Sequence, residues 1–491
     1  MNCTFLPLLL LLLISLPSVF AQSLKVPAIF SDNMILQRET PVPVWGKSKP
    51  GSVVAATINS IKVTTTTDKS GNWFLYLPKL TAGSTYTLSV KSEAETLNFK
   101  NILAGDVYFA GGQSNMQYKL PVATGGEDEV QKASFKNIRF FTVPKDISYT
   151  PKWDINISNK ENVHQGKWVE SNKNTASDFS AVAYFFAKKI HLEENIPVGI
   201  INISWGGTTI ETHMSAAANR STGLFINMLE EMNKKKSTDT IPLNKSKDVP
   251  VMPSCVFNAM INPVIPYAIK GFLWYQGEGN WNYPYRYRNQ FKAFINDLRV
   301  KWRSGELPFY FVIIPNMGKK PADPMEDFWS VLRESQLEAL TLPNTGAVLT
   351  FDVSDGDLHP KDKKPVGERL AYLALKYIYG KNNIPDYPQF NTYKIIGDSI
   401  KVSFSYAPKG LEFKNDSVKG FAIAGEDMRF YWANAIIKGS EVWIYNSKVK
   451  NPKAVRYAWG EDPPYSLFNK EGLPAMPFRT DKWEVRRDGL W

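Results

Sequence analysis

Between Val26 and about Leu97, apolar and polar positions alternate in short segments, among them Val42 and Val44 and the stretch from Thr85 to Val90. Turn sequences such as Lys49-Pro50-Gly51 and Lys69-Ser70-Gly71 separate them. Alternation of period two with frequent turns predicts a small all-β module over residues 22–100. From about Ile102 the rhythm changes to apolar runs alternating with helical patterns, as a parallel sheet with crossover helices requires. The predicted strands are Val107 to Ala110, Val198 to Ile203, Gly271 to Tyr275, Phe309 to Ile314 and Ala347 to Phe351. The predicted helices run over Phe179 to Glu193, Tyr287 to Trp302, Asp327 to Leu340 and Lys363 to Tyr379. Residues 101–385 are thus expected to form an α/β domain, with the polar, Lys-rich stretch 215–250 as a helix plus a surface excursion. After Gly380 the β rhythm returns in Ile400 to Ser405, Gly420 to Ala424, Glu441 to Tyr445 and Ala454 to Trp459, predicting a second β module over 386–491.

Residues 1–21 carry no Lys, Arg, Asp or Glu and end in Val19, Phe20 and Ala21, which reads as a signal peptide cleaved before Gln22. An exported chain is expected, periplasmic or extracellular. No later stretch has the length of apolar sequence that a membrane span needs, so no integral membrane segment is expected after cleavage.

The 491 residues, 43% of them hydrophobic, exclude disordered and collagen-like classes. Of two Cys, Cys3 leaves with the leader and Cys255 sits in an apolar run, so it reads as a buried thiol and no disulfide scaffold forms. The formal charge of +11 is spread along the chain. Its short clusters, Lys234 to Lys236 and Lys361, Lys363 and Lys364, read as solvated surface, and no nucleic-acid partner is expected.

Common catalytic motifs are missing. The Gly46-Lys47-Ser48 triplet has Pro41 where a phosphate-binding loop needs Gly, and no His-Glu-x-x-His or Gly-x-Gly-x-x-Gly occurs. No Ser has Gly both two before and two after it, which removes the nucleophile elbow. What remains is Ser114, in Gly111-Gly112-Gln113-Ser114-Asn115-Met116 after a predicted strand. Carboxyl ends of parallel strands form the crevice in which ligands bind. Three further strand ends join it: Ser204-Trp205-Gly206-Gly207-Thr208, Gln276-Gly277-Glu278-Gly279-Asn280, and the run from Asp352 to Pro360. Of the four His, His164 and His191 read as surface residues and His213 as structural. His359 stands beside carboxylates at a strand end, where a general base is needed.

Gly112 to Met116, Ser204 to Thr208, Gln276 to Glu278 and Asp357 to Pro360 resemble the blocks of the sialate O-acetylesterase family, carbohydrate esterases of the SGNH hydrolase superfamily. Pro27 to Gln37, Pro41 to Gly46 and Phe468 to Asp481 are also similar to this family, so the resemblance covers nearly the whole chain after the leader.

The resemblance implies a flavodoxin-like SGNH parallel-sheet domain flanked by β-rich modules, acting as a serine esterase on O-acetylated sugars, with neither metal nor cofactor. Ser114 would be the nucleophile and His359 the base, through an acyl-enzyme. Backbone N–H groups of Ser114 and of Gly206 or Gly207 would hold the oxyanion. The superfamily takes a third donor from Asn in Gly-x-Asn, and here Gln276 is expected in that place, with Asn280 second. Its acid stands three residues before the His, but position 356 is Gly, which leaves Asp357, then Asp355, or a backbone carbonyl in a Ser-His dyad. Glu278, Asn280, Trp205 and Trp281 are the expected sugar contacts, since aromatic faces stack on sugar rings. Deacetylation of xylan or pectin and a non-catalytic glycan-binding protein are the alternative readings.

Overall fold

The computed structural model describes residues 23–236, 238–244, 249–414 and 418–485; the expected leader lies outside them. Seven strands build the central sheet: β1 (Glu95–Gly112), β2 (Ser134–Thr142), β3 (Trp168–Asn172), β4 (Val198–Ser204), β5 (Gly271–Tyr275), β6 (Phe309–Val312) and β7 (Thr345–Val348). Their order is β7-β6-β5-β1-β4-β2-β3, parallel throughout except for β3 against β2. Strands β4, β5 and β6 are buried along their whole length, which explains their continuous apolar sequences. Helices α1 (Ala181–Glu194), α2 (Pro284–Trp302), α3 (Phe328–Leu337) and α4 (Lys364–Tyr377) follow the predicted patterns to within a turn. Asp327 is the cap of α3 rather than its first residue, since its carboxylate accepts the Ser330 N–H at 2.7 Å.

Two sheet strands, β2 and β3, are missing from the predicted set. The first half of β2 is polar and largely exposed, and only its second half, from Ile138, is buried. An edge hairpin of that kind carries neither a full alternation nor a long apolar run. The predicted strand Ala347 to Phe351 also stops early: the chain leaves the sheet after Val348 and coils over Phe351–Val353.

β1 has 18 residues and serves two layers. Its first half pairs with the N-terminal strands Ile35–Gln37 and Thr85–Ser92, and its second half with β4 and β5. After Tyr387, two antiparallel four-stranded sheets form. The one that contains Ala454–Tyr457 and Phe478–Arg479 is anchored on α3: Arg333 donates to the carbonyls of Gly460 and Glu461, and Arg479 grips Glu334 with two bonds of 2.7 and 2.8 Å. The 215–250 stretch holds two short helices, Ala216–Ser221 and Ile226–Asn233, and a two-stranded ribbon. Cys255 is buried and its thiol is pushed up to about 12 by burial, which leaves it inert. No helix among the described residues is long and apolar enough to cross a membrane.

From β1 the chain builds outward on one side through β2, β3 and β4, then returns to the other side as β5, β6 and β7. The carboxyl end of β1 is therefore the switch point of the sheet, where a crevice opens.

Candidate active site

Ser114 stands at that switch point. β1 closes on β5 through Gly112, whose φ is +146° and whose position would bring any Cβ within 2.1 Å of the Tyr275 carbonyl oxygen. Only glycine permits this approach. The Gln113 N–H then donates to the same carbonyl at 3.1 Å, and Ser114–Gln117 makes a single helical turn. Ser114 begins the turn, half-buried, so its backbone N–H is left open.

His359 reaches it from the loop after β7: Nε2 lies 2.8 Å from Ser114 Oγ. Burial, and then the positive charge of Lys363, hold the imidazole below its ordinary value, with Asp357 opposing them. Asp357 does not touch the ring. Its Oδ1 accepts the backbone N–H of His359 at 2.8 Å, while Asp355 Oδ1 accepts the N–H of Asp357 at 3.1 Å. Both carboxylates shape the loop, and none hydrogen-bonds the imidazole among the described residues. At Gly356, three residues before the His, φ is +83° and a Cβ would stand 2.7 Å from the Gly318 carbonyl oxygen. An acid cannot occupy that position.

The loop after β4 forms the facing wall. Its Trp205 N–H donates to the Gly112 carbonyl at 3.1 Å, and Gly206 packs so closely that a Cβ on it would lie 3.3 Å from that of Ser114. The Gly206 N–H is already used, donating to Gln117 Oε1 at 2.8 Å. Gly207 is exposed, and its N–H, like that of Ser114, has no acceptor among the described residues. Behind the loop, the Thr208 hydroxyl donates to the Trp205 carbonyl and so accepts from Nε2–H of His213, which is fully buried and pushed down to about 3 by burial. His213 is a neutral scaffold residue, as its sequence context suggests.

The segment after β5 carries Gln276, Glu278 and Asn280, and all three are buried. Gln276, 0% exposed, donates to Asn280 Oδ1 at 2.8 Å and accepts from the Tyr287 hydroxyl at 3.0 Å. Asn280 accepts the Ile210 N–H and donates to Glu211 Oε2, both at 2.9 Å. Both amides are engaged inside the scaffold rather than held open beside Ser114. Glu278 is buried too, and its Oε1 accepts from Asn115 Nδ2 at 2.6 Å while burial raises its carboxyl. The cause is common to the three: β5 is buried on both faces and its carboxyl end turns inward. Among the aromatic residues around this segment, Trp274, Tyr275 and Tyr287 are core residues, while Trp205 and Trp281 remain partly exposed.

Lys363 is the residue that the sequence hides. It lies in a Lys-rich run, yet it is 1% exposed, donates to Asn115 Oδ1 and faces the Tyr118 and Tyr275 rings at 4.8 and 5.5 Å. Burial pushes its ammonium down to about 8, against Glu278, Asp355 and Asp357. The available signal was its place at the start of the helix following His359. Among the described residues no group of three or more His, Cys, Asp and Glu side chains could hold a metal ion.

The arrangement has the parts of an acyl-transfer site: a hydroxyl on an imidazole, with the open N–H of the same serine beside it. Comparison with known proteins agrees with that chemistry. Residues 104–376 match the family model described as carbohydrate esterase, sialic acid-specific acetylesterase. The sialate O-acetylesterase of Homo sapiens is 26% identical over 501 residues, covering 92% of each chain. That of Rattus norvegicus is 28% identical over 515 residues, covering 92% of this chain and 93% of its own. The crystal structure of a carbohydrate acetylesterase from Xanthomonas citri superposes with a TM-score of 0.82 at 34% identity, covering 94% of this chain and all of the other.

Proposed function

The chain belongs to the sialic acid-specific acetylesterase family of carbohydrate esterases, and from that membership we propose a serine mechanism in which Ser114 and His359 remove O-acetyl groups from sialic acid. It is a carboxylic ester hydrolase, and a carbohydrate acetyl ester is its class of substrate. The observation that carries the mechanism is the 2.8 Å approach of His359 Nε2 to Ser114 Oγ at the switch point of the sheet.

His359 Nε2 takes the hydroxyl proton as Ser114 Oγ attacks the acetyl carbonyl carbon. The tetrahedral oxyanion forms beside the open N–H groups of Ser114 and Gly207, and each donor of this kind contributes about 3 kcal/mol. Collapse breaks the bond to the sugar oxygen, which recovers the proton from His359. Water, deprotonated by His359, then attacks the acetyl-serine, and collapse releases acetate as Ser114 Oγ takes the proton back from His359. Asp357 contributes by its charge and by fixing the loop that carries His359. Trp205 and Trp281 offer partly exposed faces to the sugar. The uncharged leader at residues 1–21 supports an exported enzyme.

The test is acetate release from O-acetylated sialic acid, acetylxylan and acetylated pectin, with Ser114→Ala in parallel. Release from sialic acid by the wild type alone is expected. Preference for xylan or pectin would reject the sialic acid assignment, and an active Ser114→Ala would reject the serine mechanism.

A further inference from the structure

Asn115 follows Ser114 directly, and its amide is bound three times. Nδ2 donates to Glu278 Oε1 at 2.6 Å and to the Leu358 carbonyl at 3.0 Å, and Oδ1 accepts from Lys363 Nζ at 2.5 Å. One side chain thus ties the turn of the nucleophile to the residue before His359 and to the helix after it. Lys363 occupies the N-cap position of α4 without a capping bond from its side chain. A cation there meets the positive end of the helix dipole, and burial adds its desolvation. Packing alone needs no charge at such a place.

The charged groups facing Lys363 are Glu278 from the end of β5 and Asp355 and Asp357 from the His359 loop, with the Tyr118 and Tyr275 rings closing the remaining sides. The groups facing His359 are Lys363, Asp357 and the Ser114 hydroxyl.

We propose that Lys363 is a positioning residue of the esterase: through Asn115 it holds the Ser114 turn against the His359 loop and places a positive charge facing the imidazole. That charge disfavours the imidazolium. This rests on the Ser114 and His359 mechanism above. Lys363 neither gains nor loses a proton in the reaction; the Ser114 proton goes to His359 Nε2 and then to the departing sugar oxygen. The neighbouring charge makes the imidazolium a stronger acid, which suits that second transfer.

The experiment is the pH profile of kcat/KM for p-nitrophenyl acetate with wild type, Lys363→Met, Lys363→Arg and Ser114→Ala, each checked for folding by thermal unfolding. Lys363→Met should move the acid limb to higher pH by about half a unit or more, and Lys363→Arg, which keeps the charge, should leave it in place. If Lys363→Met does not fold, Lys363→Gln, which keeps a donor for Asn115 without the charge, must show the same displacement. An acid limb that stays put in a folded, uncharged variant overturns the inference, as does an equal displacement in Lys363→Arg. Full activity of Ser114→Ala would instead remove the serine mechanism beneath it, whereas an inactive Ser114→Ala beside an unmoved limb rejects the role of Lys363 alone.

Discussion

Asp357 accepts the backbone N–H of His359 at 2.8 Å and leaves the imidazole untouched. In a full triad the acid bonds the ring, fixes its tautomer, and its loss to the amide lowers kcat by about 10⁴. Here Asp357→Asn should lower kcat/KM by about tenfold or less. Asp357 raises the His359 value, so removing its charge should shift the acid limb of the pH profile to lower pH. A loss of a thousandfold or more would place Asp357 on the ring during turnover.

The wild-type profile itself carries a sign. His359 must be neutral to act, and burial together with Lys363 holds it below the ordinary value of about 6.5. Activity should therefore persist into mildly acidic solution, with the acid limb of kcat/KM below pH 6.5. A limb above that value would contradict the geometry around His359.

Gln276 offers a separation of stability from catalysis. Its amide joins Asn280 to Tyr287 in the buried scaffold, so Gln276→Leu should cost about 1–3 kcal/mol of stability by stranding those partners. Urea unfolding would measure it. An oxyanion donor would behave differently, with kcat falling about 10² to 10³-fold in a protein of normal stability.

Gly112 sets how closely β1 approaches β5. Gly112→Ala should destabilise the fold by about 3 kcal/mol or more, because the added carbon meets the Tyr275 carbonyl at 2.1 Å in a backbone region unsuited to side chains. An unchanged unfolding midpoint would mean that the two strands are farther apart than described.

His213 predicts a pH dependence of stability. Its folded value is pushed down to about 3 by burial, so the unfolded chain binds the extra proton first as pH falls. The contribution is fully present above about pH 6.5 and is lost progressively as pH drops toward the folded value, by up to about 1.4 kcal/mol per unit. Comparing unfolding of the wild type and His213→Gln between pH 7 and 5 checks it: the difference between them should narrow with acid, and a constant difference would reject the assignment.

The sequence by itself determined the ordering of the chain and the chemistry of its site. Fully buried strands such as β4 and β5 need apolar residues at nearly every position, so they stand out without any partner. The switch from period two to helical spacing marks the β and α/β regions for the same reason. Ser114 and His359, which the fold brings within 2.8 Å of each other, stand out in the sequence because each sits in a short polar block after such a strand. The direction in which a side chain points at a strand end, by contrast, depends on what packs against it. Nothing local distinguishes Gln276, which turns into the scaffold, from an amide that faces substrate. Nothing local separates Lys363 from its solvated neighbours Lys361 and Lys364, because its burial is made by Asn115, Tyr118 and Tyr275, which lie far from it along the chain. Likewise nothing local shows that the Asp357 carboxylate accepts the backbone N–H of His359 rather than bonding its ring. Residue type and spacing are properties of the chain, whereas burial, charge environment and hydrogen-bond partner belong to the packed molecule.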